Sequence, residues 1–461
     1  MSEASYDVVI IGGGPAGLMA AWQLRDLNIL LVERTHRLGG RLFSLPRDDM
    51  WLNFGGHLFP APGSYMRNLM LEIGLETIPI PGNKFALWHQ GKVVAPASVS
   101  ALPLTLPLSL FERIALARVG LKIKAGVRHW QQATQPLAGE SSENRRARTA
   151  RFMSDHSFRA FLGPMPARIE SLFRAAGQRS AAELEDISAG VGLTLFGMVW
   201  AGKGDSMAVN MMGGSGRLGE VMTERLGDRA LVEATATSLE PRGRQTAVTF
   251  ERGGRQETVS ASQVIVAIPA FAASRIASSL PEPVRATLAN VRYGPFPSMA
   301  VRTNETKPMP WDDIYAITVP GRTINMMFNH SNPLRALGGA KRGSSFMVYS
   351  GGKPAAEMMR LTEDEIRERY LSDIFQLYPE IRPLIVETKV QKWSPGNTYR
   401  PAGFDFGPVV RYSDRTDTDI HLAGDYFSEI GNMETAAGTG YEAAQRARRR
   451  LATLGGQQRA A

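Results

Sequence analysis

Residues 6–33, YDVVIIGGGPAGLMAAWQLRDLNILLVE, decide the fold of this chain. An apolar run at residues 8–11 leads into a glycine-rich turn. A segment with helical spacing follows, and a second apolar run ends at Glu33. The glycines of the turn are Gly12, Gly14 and Gly17. This order of patterns predicts a strand, a tight turn, a helix and a second strand.

Each glycine has a separate physical role in such a unit. Gly12 permits the turn, and Gly14 allows a pyrophosphate to approach the backbone at the positive end of the helix. Gly17 allows the helix to pack closely against the strand. Pro15 and Ala16 lie between these glycines. We therefore predict that this turn binds the diphosphate of a dinucleotide.

Glu33 stands at the end of the second predicted strand, about twenty residues beyond the glycines. A carboxylate at this position accepts hydrogen bonds from the ribose of adenosine. Nothing in residues 6–33 distinguishes NAD from FAD, so the choice depends on later residues.

Several separated blocks of sequence follow this unit in a definite order. The first two blocks are Glu33, Arg34, Leu38, Gly39, Gly40 and Arg41, and then Asn53, Phe54, Gly55, Gly56 and His57. The later blocks are Gly213, Gly214, Gly216, Arg217 and Leu218, residues 264–269, HLAGDYF at 421–427, and NMETAAGTG at 432–440. With these blocks the chain resembles the flavin-containing amine oxidase superfamily, which includes monoamine oxidases, protoporphyrinogen oxidases and phytoene-type desaturases.

The resemblance implies an α/β fold with FAD as the cofactor. It implies a Rossmann-like FAD-binding domain of the glutathione-reductase type, interleaved with a substrate domain that has a mixed sheet and a helical part. We assign the FAD-binding domain to residues 1–83, 207–283 and 404–461. The substrate domain is assigned to residues 84–206 and 284–403.

The resemblance also implies which further residues bind FAD. Asp425, in the turn after Gly424, is expected to anchor the ribityl or phosphate region. The helix that starts near Met433 or Glu434 is expected to point its amides at the flavin N1 and C2 carbonyl, where negative charge collects on reduction. The remaining residues implied as cofactor-binding are Arg34, Gly39, Gly40, Arg41, Gly55, Gly56, His57, Val232 (through its backbone) and Thr435.

Composition excludes several classes of site. The chain has 461 residues, of which 43% are hydrophobic, and no cysteine, so disulfides, thiolate metal sites and attachment of flavin through cysteine are excluded. We therefore expect non-covalent FAD. The seven histidines show no close ligand spacing, and we predict no metal site. His57 alone lies in a suggestive block, and it is a candidate for the active site.

Charge and termini give expectations about partners and location. The net charge of +9 is partly concentrated at residues 144–151 and 446–450, and such runs are typical of solvated helix faces. We predict no nucleic-acid binding. The start, MSEASYDVV, runs directly into the first strand without a signal sequence, which favours a cytoplasmic protein.

The segment 99–129 is rich in leucine and becomes a basic amphipathic helix. It has no apolar window of the 18 or so residues that a spanning helix needs. We interpret it as part of a helical substrate domain with one buried face, in preference to membrane attachment. Residues 136–151 are predicted to be a polar connection, and residues from 155 to about 199 to be helical.

Other local patterns predict individual elements. Thr362 and Glu365 form a capping-box pattern at the start of a helix over 363–377. Short strands are predicted at 231–239, 246–251, 257–260, 263–268, 298–303, 314–319, 323–329 and 344–350.

The reaction is the least defined feature of the sequence. Amine oxidases of the superfamily are expected to have a lysine in the strand after residues 264–269, whereas here the segment 292–301, RYGPFPSMAV, places Ser298 or a neighbour there. This departure favours oxidation of a carbon–carbon bond. Candidate aromatic residues for the substrate pocket are Tyr399, Phe404, Phe406 and Tyr441, each of which could instead be a core residue.

Three readings of the function therefore stand. In the first, an FAD-dependent oxidase or dehydrogenase removes a hydride from a mostly apolar, cyclic small molecule to introduce a C=C bond, with O2 or another electron acceptor. The second is an amine oxidase that gives an imine. The third is an isomerase similar to UDP-galactopyranose mutase, which uses reduced flavin without net redox change.

Overall fold

The computed structural model describes residues 4–81, 85–95, 102–200, 209–339 and 342–460. The domain boundaries predicted after residues 83 and 206 lie outside these ranges. The strands are β1 (Ser5–Ile11), β2 (Ile29–Val32), β3 (Ser44–Arg47), β4 (Met50–Asn53), β5 (Thr77–Pro79), β6 (Phe85–His89), β7 (Lys92–Val94), β8 (Val209–Met211), β9 (Ala230–Leu231), β10 (Ala234–Arg242), β11 (Gln245–Arg252), β12 (Arg255–Val266), β13 (Arg292–Thr303), β14 (Ala316–Thr318), β15 (Met326–Asn329), β16 (Ser345–Tyr349), β17 (Ile385–Tyr399) and β18 (Ile420–Leu422).

The helices either pack against the two large sheets described below or form a separate helical region. They are α1 (Pro15–Gln23), α2 (Tyr65–Glu72), α3 (Leu102–Thr105), α4 (Leu110–Ala133), α5 (Ser142–Ala150), α6 (Phe158–Leu162), α7 (Ala167–Gln178), α8 (Ala189–Trp200), α9 (Arg217–Leu226), α10 (Ala270–Ile276), α11 (Glu282–Ala289), α12 (Ser331–Ala336), α13 (Gly352–Met358), α14 (Glu363–Leu377), α15 (Gly407–Ser413) and α16 (Met433–Ala460).

The first sheet has the strand order β10-β11-β12-β1-β2-β9, with β18 also paired to β12. Its strands β12, β1, β2 and β9 are parallel, and β10, β11 and β12 form an antiparallel meander. Side chains of a strand alternate between its two faces. Val8 and Ile10 accordingly pack with α1, α2, α9 and α16, whereas Val9 and Ile11 pack with α10, α11 and α15. The sheet is therefore covered by helices on both faces.

The second sheet has the order β17-β13-β16-β15-β14-β6-β7 and is mixed, because β14 and β6 run parallel while the other pairs are antiparallel. One face packs against α14 through Ile366, Tyr370 and Ile374. The other face carries aromatic side chains. The predicted architecture, a Rossmann-type sheet and a separate mixed sheet, is confirmed.

Helices α4, α6, α7 and α8 share a core of their own, which includes Ile123, Phe158, Phe173 and Val191. In the described part of the chain, no helix is both long and apolar enough to cross a membrane.

Several elements match their predicted positions closely. The helix α14 starts at its predicted residue, and Thr362 and Glu365 form both reciprocal bonds of the capping box. Gly253 and Gly254 turn the β11–β12 hairpin with positive φ angles of 55° and 73°. These elements depend on contacts between residues that are close in sequence.

Other predictions were wrong where tertiary pairing decided the structure. The two strands predicted at 257–260 and 263–268 are one strand, β12, which pairs with β11 and then with β1. The predicted polar connection contains α5, whose Ser141 cap accepts a hydrogen bond from the Asn144 amide. Residues 179–188, which were expected to be helical, separate α7 from α8.

The predicted domain boundary after residue 283 falls within α11. This helix packs throughout against the first sheet, through Val284 and Leu288. The chain enters the second sheet at Arg292, where β13 begins.

Candidate active site

The glycine turn between β1 and α1 has the shape that a diphosphate requires. Gly12 has φ of 106°, and a β-carbon built at Gly17 would overlap the Gly12 carbonyl, so both positions require glycine. A β-carbon built at Gly14 would meet no atom within 4 Å. Pro15 occupies the first turn of α1, and no side chain caps that helix. Open space therefore adjoins uncapped amides at the positive end of α1.

Glu33 lies beside this turn and is 8% exposed. Its Oε2 accepts a hydrogen bond from the Gly13 amide at 2.7 Å, and its Oε1 accepts from the Thr35 amide at 2.8 Å. These bonds hold the carboxylate at the end of β2. Oε1 also accepts from the Thr35 hydroxyl at 2.7 Å, so Oε2 is the oxygen that retains a lone pair for a ribose hydroxyl. Arg34, predicted as cofactor-binding, is exposed next to it.

Val232 lies between β9 and β10, next to the end of β2. On one side the Glu33 amide donates to the Leu231 carbonyl at 2.8 Å, and on the other the Glu233 amide donates to the Thr35 carbonyl at 2.9 Å. Within the described residues, no backbone hydrogen bond involves Val232 itself. Its N–H and C=O are therefore available for the adenine side of a dinucleotide.

The second predicted block closes over the glycine turn. The Gly39 amide donates to the Gly13 carbonyl at 2.8 Å, and a β-carbon at Gly40 would lie 3.1 Å from the Gly14 Cα. Arg37, which sequence reasoning missed, donates to the carbonyls of Leu38, Leu42 and Gly40.

Arg41 joins this block to the C-terminal block. Its Nη2 pairs with the Asp425 Oδ1 at 2.9 Å, and its Nη1 donates to the Gly396 carbonyl at 2.7 Å. Asp425 is buried in the turn after Gly424, and the Gly424 amide donates to the Thr439 Oγ1 of α16 at 3.0 Å. The ion pair therefore links the glycine turn, β17 and the start of α16.

The N-terminus of α16 is held by its own side chains. The Asn432 Oδ1 accepts from the Thr435 amide at 2.8 Å and caps the helix. The Glu434 carboxylate accepts from the Tyr65 and Met66 amides at 2.8 and 2.9 Å, so this predicted cofactor ligand caps α2. The Met433 side chain reaches the Gly56 region, where a built β-carbon would lie 3.2 Å from its methyl carbon.

The Gly55–His57 block adjoins both the glycine turn and the second sheet. A β-carbon at Gly55 would overlap the Arg41 carbonyl, and the Trp393 ring lies 3.5 Å from the same position. The Trp393 Nε1 donates to the Phe54 carbonyl at 2.8 Å. Sequence reasoning missed Trp393 because β17 was not predicted, and only its tertiary pairing with β13 brings it to this place.

His57 is buried and neutral at pH 7. Its Nδ1 lies 3.1 Å from the Gly55 carbonyl, which can only accept, so Nδ1 carries the proton and Nε2 keeps a lone pair without a partner in the described structure. Burial, helped by the positive charge of Arg179, lowers the pKa of His57 to about 4, against the opposing effect of the Gly55 bond.

Around His57, the inner face of the second sheet carries uncharged rings. Phe328 and His330 lie 4.5 and 4.8 Å from the His57 ring, and Tyr349 lies 5.9 Å from Phe328 and 4.4 Å from Phe296. Burial, together with the neighbouring His57, lowers the pKa of His330 well below its ordinary value. We call Phe296, Phe328, His330 and Tyr349 the aromatic face.

One cation lies at the edge of the aromatic face. Arg179 caps the C-terminus of α7, is half-buried, and lies within hydrogen-bonding reach of the Tyr349 hydroxyl. The Asn325 side chain donates to the Gln178 Oε1 at 2.6 Å, and the Asn325 backbone amide donates to the Tyr349 carbonyl. These two bonds hold the end of α7 against the second sheet. In the described structure, Arg179 forms no ion pair with a carboxylate.

Ser298 is buried on β13, where its hydroxyl donates to the Phe54 carbonyl at 2.7 Å. Of the two lysines on the neighbouring strand β17, Lys389 is exposed, and Lys392 donates to the Met359 and Leu361 carbonyls near α14. The position expected to hold a lysine in an amine oxidase therefore holds a neutral hydroxyl.

The four candidate aromatic residues are not brought together. Tyr399 forms a bridge with Ile430, close to the start of α16. Phe406 packs on Phe427 in the core beside the first sheet, and Phe404 packs next to it. Tyr441 lies against Tyr65 at 5.2 Å. Of the four, Tyr399 is the one whose backbone pairs with the segment just before α16.

The comparisons with known proteins agree with this geometry. Residues 15–448 match the family model of flavin-containing amine oxidoreductases. The chain belongs to this family, as the sequence resemblance predicted. It is an FAD-dependent oxidoreductase, and the residues around the glycine turn and α16 fit that cofactor. Among the described residues, no group of His, Asp and Glu side chains could hold a metal ion.

Individual relatives are amine oxidases. The chain is 26% identical over 294 residues to a probable flavin-containing monoamine oxidase A of Dictyostelium discoideum, and the match covers 61% of each chain. It is 40% identical over 73 residues to putrescine oxidase of Kocuria rosea, or 15% of each chain.

Solved structures share the whole fold. Putrescine oxidase bound to putrescine superposes with a TM-score of 0.73 at 20% identity, covering 96% of this chain and 98% of the other. Cyclohexylamine oxidase from Brevibacterium oxydans superposes with a TM-score of 0.74 at 18% identity, covering 96% and 99%. The named relatives favour the amine-oxidase alternative over C=C formation, the first reading of the sequence.

Proposed function

We propose that the chain oxidises a primary monoamine with an apolar ring, breaking the C–H bond beside the nitrogen to give an imine. The imine then hydrolyses to a carbonyl compound and ammonia. When bound, FAD accepts the hydride. The amine oxidases among the relatives support this class of reaction, and the uncharged aromatic face is the observation that carries it.

The aromatic face favours the reactive form of an amine. Hydride loss from the carbon requires the neutral amine, because an ammonium has no lone pair to stabilise the forming imine. A desolvated environment lowers the pKa of an amine, and the neutral His57 and His330 add no negative charge to oppose this effect. Ring faces also attract an ammonium that arrives from water. The site therefore suits binding and subsequent deprotonation.

The positive charge of Arg179 favours a monoamine substrate over a diamine. Its guanidinium is positive and has no carboxylate partner among the described residues, so a second ammonium near Tyr349 would be repelled. An apolar ring on the substrate meets no such penalty. Phe296, which is only partly buried, provides surface against which it can pack.

Residues of the chain position the two reactants. Gly55 allows the Arg41 carbonyl to lie against its backbone, and Trp393 fixes Phe54 through its Nε1 bond. The Asn432 side chain caps α16 at the Thr435 amide. The positive end of this helix would still stabilise the negative charge that collects on a flavin bound beside it. Molecular oxygen or another acceptor would then reoxidise the flavin.

Anaerobic reduction of the purified flavoprotein tests the proposal. Cyclohexylamine or benzylamine should bleach the visible absorbance of the flavin, with release of ammonia, and putrescine should do so much more slowly. Oxygen consumption in the aerobic reaction would then identify O2 as the acceptor. Absence of bleaching by every monoamine would contradict the proposal.

The neutral Ser298 favours a second candidate, oxidation of a carbon–carbon bond in a cyclic compound. Its hydroxyl donates to the Phe54 carbonyl and provides no ammonium near the flavin. Bleaching by cyclohexanone, with an unsaturated ketone as product and no response to amines, would establish this reaction instead.

A further inference from the structure

Tyr293 lies near the start of β13, where the chain passes from the first sheet to the second. In the pairing of β13 with β17, Tyr293 is opposite Thr398. Two residues before Thr398, the Gly396 carbonyl accepts a hydrogen bond from Arg41, which pairs with Asp425. Tyr293 therefore lies next to the residues that hold this ion pair, although it belongs to none of the sequence blocks that predicted the cofactor site.

The Tyr293 side chain points back to the first sheet. Its hydroxyl accepts a hydrogen bond from the Ala270 amide at 3.0 Å, at the start of α10. Ala267, which directly follows β12, lies against the glycine turn, since a β-carbon built at Gly12 would be 2.5 Å from the Ala267 carbonyl oxygen. The hydroxyl therefore adjoins the segment that contacts the glycine turn, and the charges of the ion pair act on it.

The Tyr293 hydroxyl has a proton that no residue in the described part of the chain accepts. A phenol hydroxyl can donate one hydrogen bond and can also accept. The bond from Ala270 uses a lone pair of the oxygen and leaves the proton free. Burial raises the pKa of Tyr293, and the Asp425 carboxylate raises it further, against the opposing effect of Arg41. The hydroxyl therefore stays protonated at neutral pH. Since the side chain is only partly buried, this proton is available to a bound ligand.

We propose that the Tyr293 hydroxyl is a further ligand of FAD and donates a hydrogen bond to an oxygen of the diphosphate. The diphosphate is expected beside Gly14, where the space is open. A phosphate oxygen is negatively charged and only accepts, so it suits a hydroxyl that has only its proton free. A ribityl hydroxyl suits it less, because that group must also find an acceptor for its own proton. The inference concerns the cofactor and is independent of the substrate that the enzyme oxidises.

Titration of the full-length apoprotein with FAD, followed by quenching of flavin fluorescence, tests this inference. Tyr293→Phe removes the proton and keeps the ring, and it should raise the Kd for FAD by about tenfold or more, because a hydrogen bond to a charged group is lost. The matched control is Tyr412→Phe. Tyr412 lies in the same core, and its hydroxyl is bonded to the Thr418 hydroxyl and the Ile420 carbonyl. This control should lower the melting temperature and leave the Kd for FAD unchanged.

The phosphorus NMR spectrum of bound FAD separates a direct contact from an effect of Tyr293 through α10. Loss of a hydrogen bond to one phosphate in Tyr293→Phe should shift one of the two phosphorus resonances, and Tyr412→Phe should shift neither. Circular dichroism of the apoproteins shows that each variant is folded. The inference is overturned if Tyr293→Phe leaves the Kd for FAD unchanged. It is also overturned if the Kd rises while both resonances keep their positions, because Tyr293 would then act through α10 or bind the ribityl chain.

Discussion

The glycine turn and the aromatic face are adjacent parts of one site, but they are built in different ways. The turn is formed by backbone atoms of residues close in sequence, from Gly12 to Glu33. The aromatic face is formed by side chains of β13, β15 and β16 and by His330, which follows β15. The predicted cofactor site therefore depends on local backbone geometry, whereas the proposed substrate site depends on how distant strands pair.

Substitution of the turn glycines should give the largest effects. At Gly17 a β-carbon would overlap the Gly12 carbonyl, so Gly17→Ala should destabilise the fold even without FAD. At Gly14 the space is open, so Gly14→Ala should leave the melting temperature of the apoprotein unchanged but abolish tight FAD binding. If the two apo variants had equal melting temperatures, Gly17 would not be needed for packing, and its assigned role would be wrong.

The buried His57, which lies against the aromatic face, should make the stability of the protein depend on pH. The pKa of His57 in the folded state is about 4, below its ordinary value of 6.5. Below about pH 6.5 the unfolded chain therefore takes up a proton that the folded chain does not, and the unfolding free energy decreases as the pH falls towards 4. The loss is about 3 kcal/mol of unfolding free energy at most. Urea unfolding between pH 7 and 4.5 should show this fall.

The matched variant for this experiment is His57→Gln. It should show a smaller decrease in unfolding free energy over the same pH range, because the unfolded chain then has one fewer group to protonate. An unchanged slope would assign the pH dependence to the other buried histidines, His330 and His421, whose pKa values burial also lowers.

Removal of the Glu33 carboxylate should weaken FAD binding and leave amine binding unchanged. A hydrogen bond to a charged group contributes about 1.5 to 3 kcal/mol, so Glu33→Gln should raise the Kd for FAD by about one to two orders of magnitude. The KM for amine in the FAD-saturated enzyme should stay the same. A change in amine KM without a change in FAD affinity would show that the two regions are coupled.

Arg179→Gln should give the smallest effect, confined to substrate choice. Without the guanidinium, the ratio of kcat/KM for putrescine to that for cyclohexylamine should rise about tenfold, for about 1.4 kcal/mol of repulsion removed. FAD affinity serves as the control and should not change. An unaltered ratio would remove Arg179 from the substrate pocket.

Much of the site around the cofactor could be predicted from the sequence. Gly14, Glu33, Gly40, Arg41 and Asp425 adjoin one another in the structure. The Glu434 carboxylate has a further role, capping α2, that is separate from the one predicted for its backbone amide. That role follows from the packing of α2 on α16, which no local pattern shows.

The substrate side could be predicted much less well. Of the aromatic residues chosen from the sequence, Phe406 lies in the core beside the first sheet, while Phe296, Tyr349 and Trp393 were missed. An aromatic residue in a strand has the same local pattern whether it faces a core or a pocket. Its role depends on which strands lie beside it.

The sequence by itself determined the class of fold, the cofactor and the backbone cradle for it, because turns, caps and glycine positions act over a few residues. Only the tertiary structure decided which side chains line the proposed substrate site. The pairing of β13 with β17 brings Trp393 to Gly55, and the packing of α7 on the second sheet places Arg179 beside Tyr349. Such contacts join residues far apart in the chain, and their free energy comes from burial that no local pattern specifies.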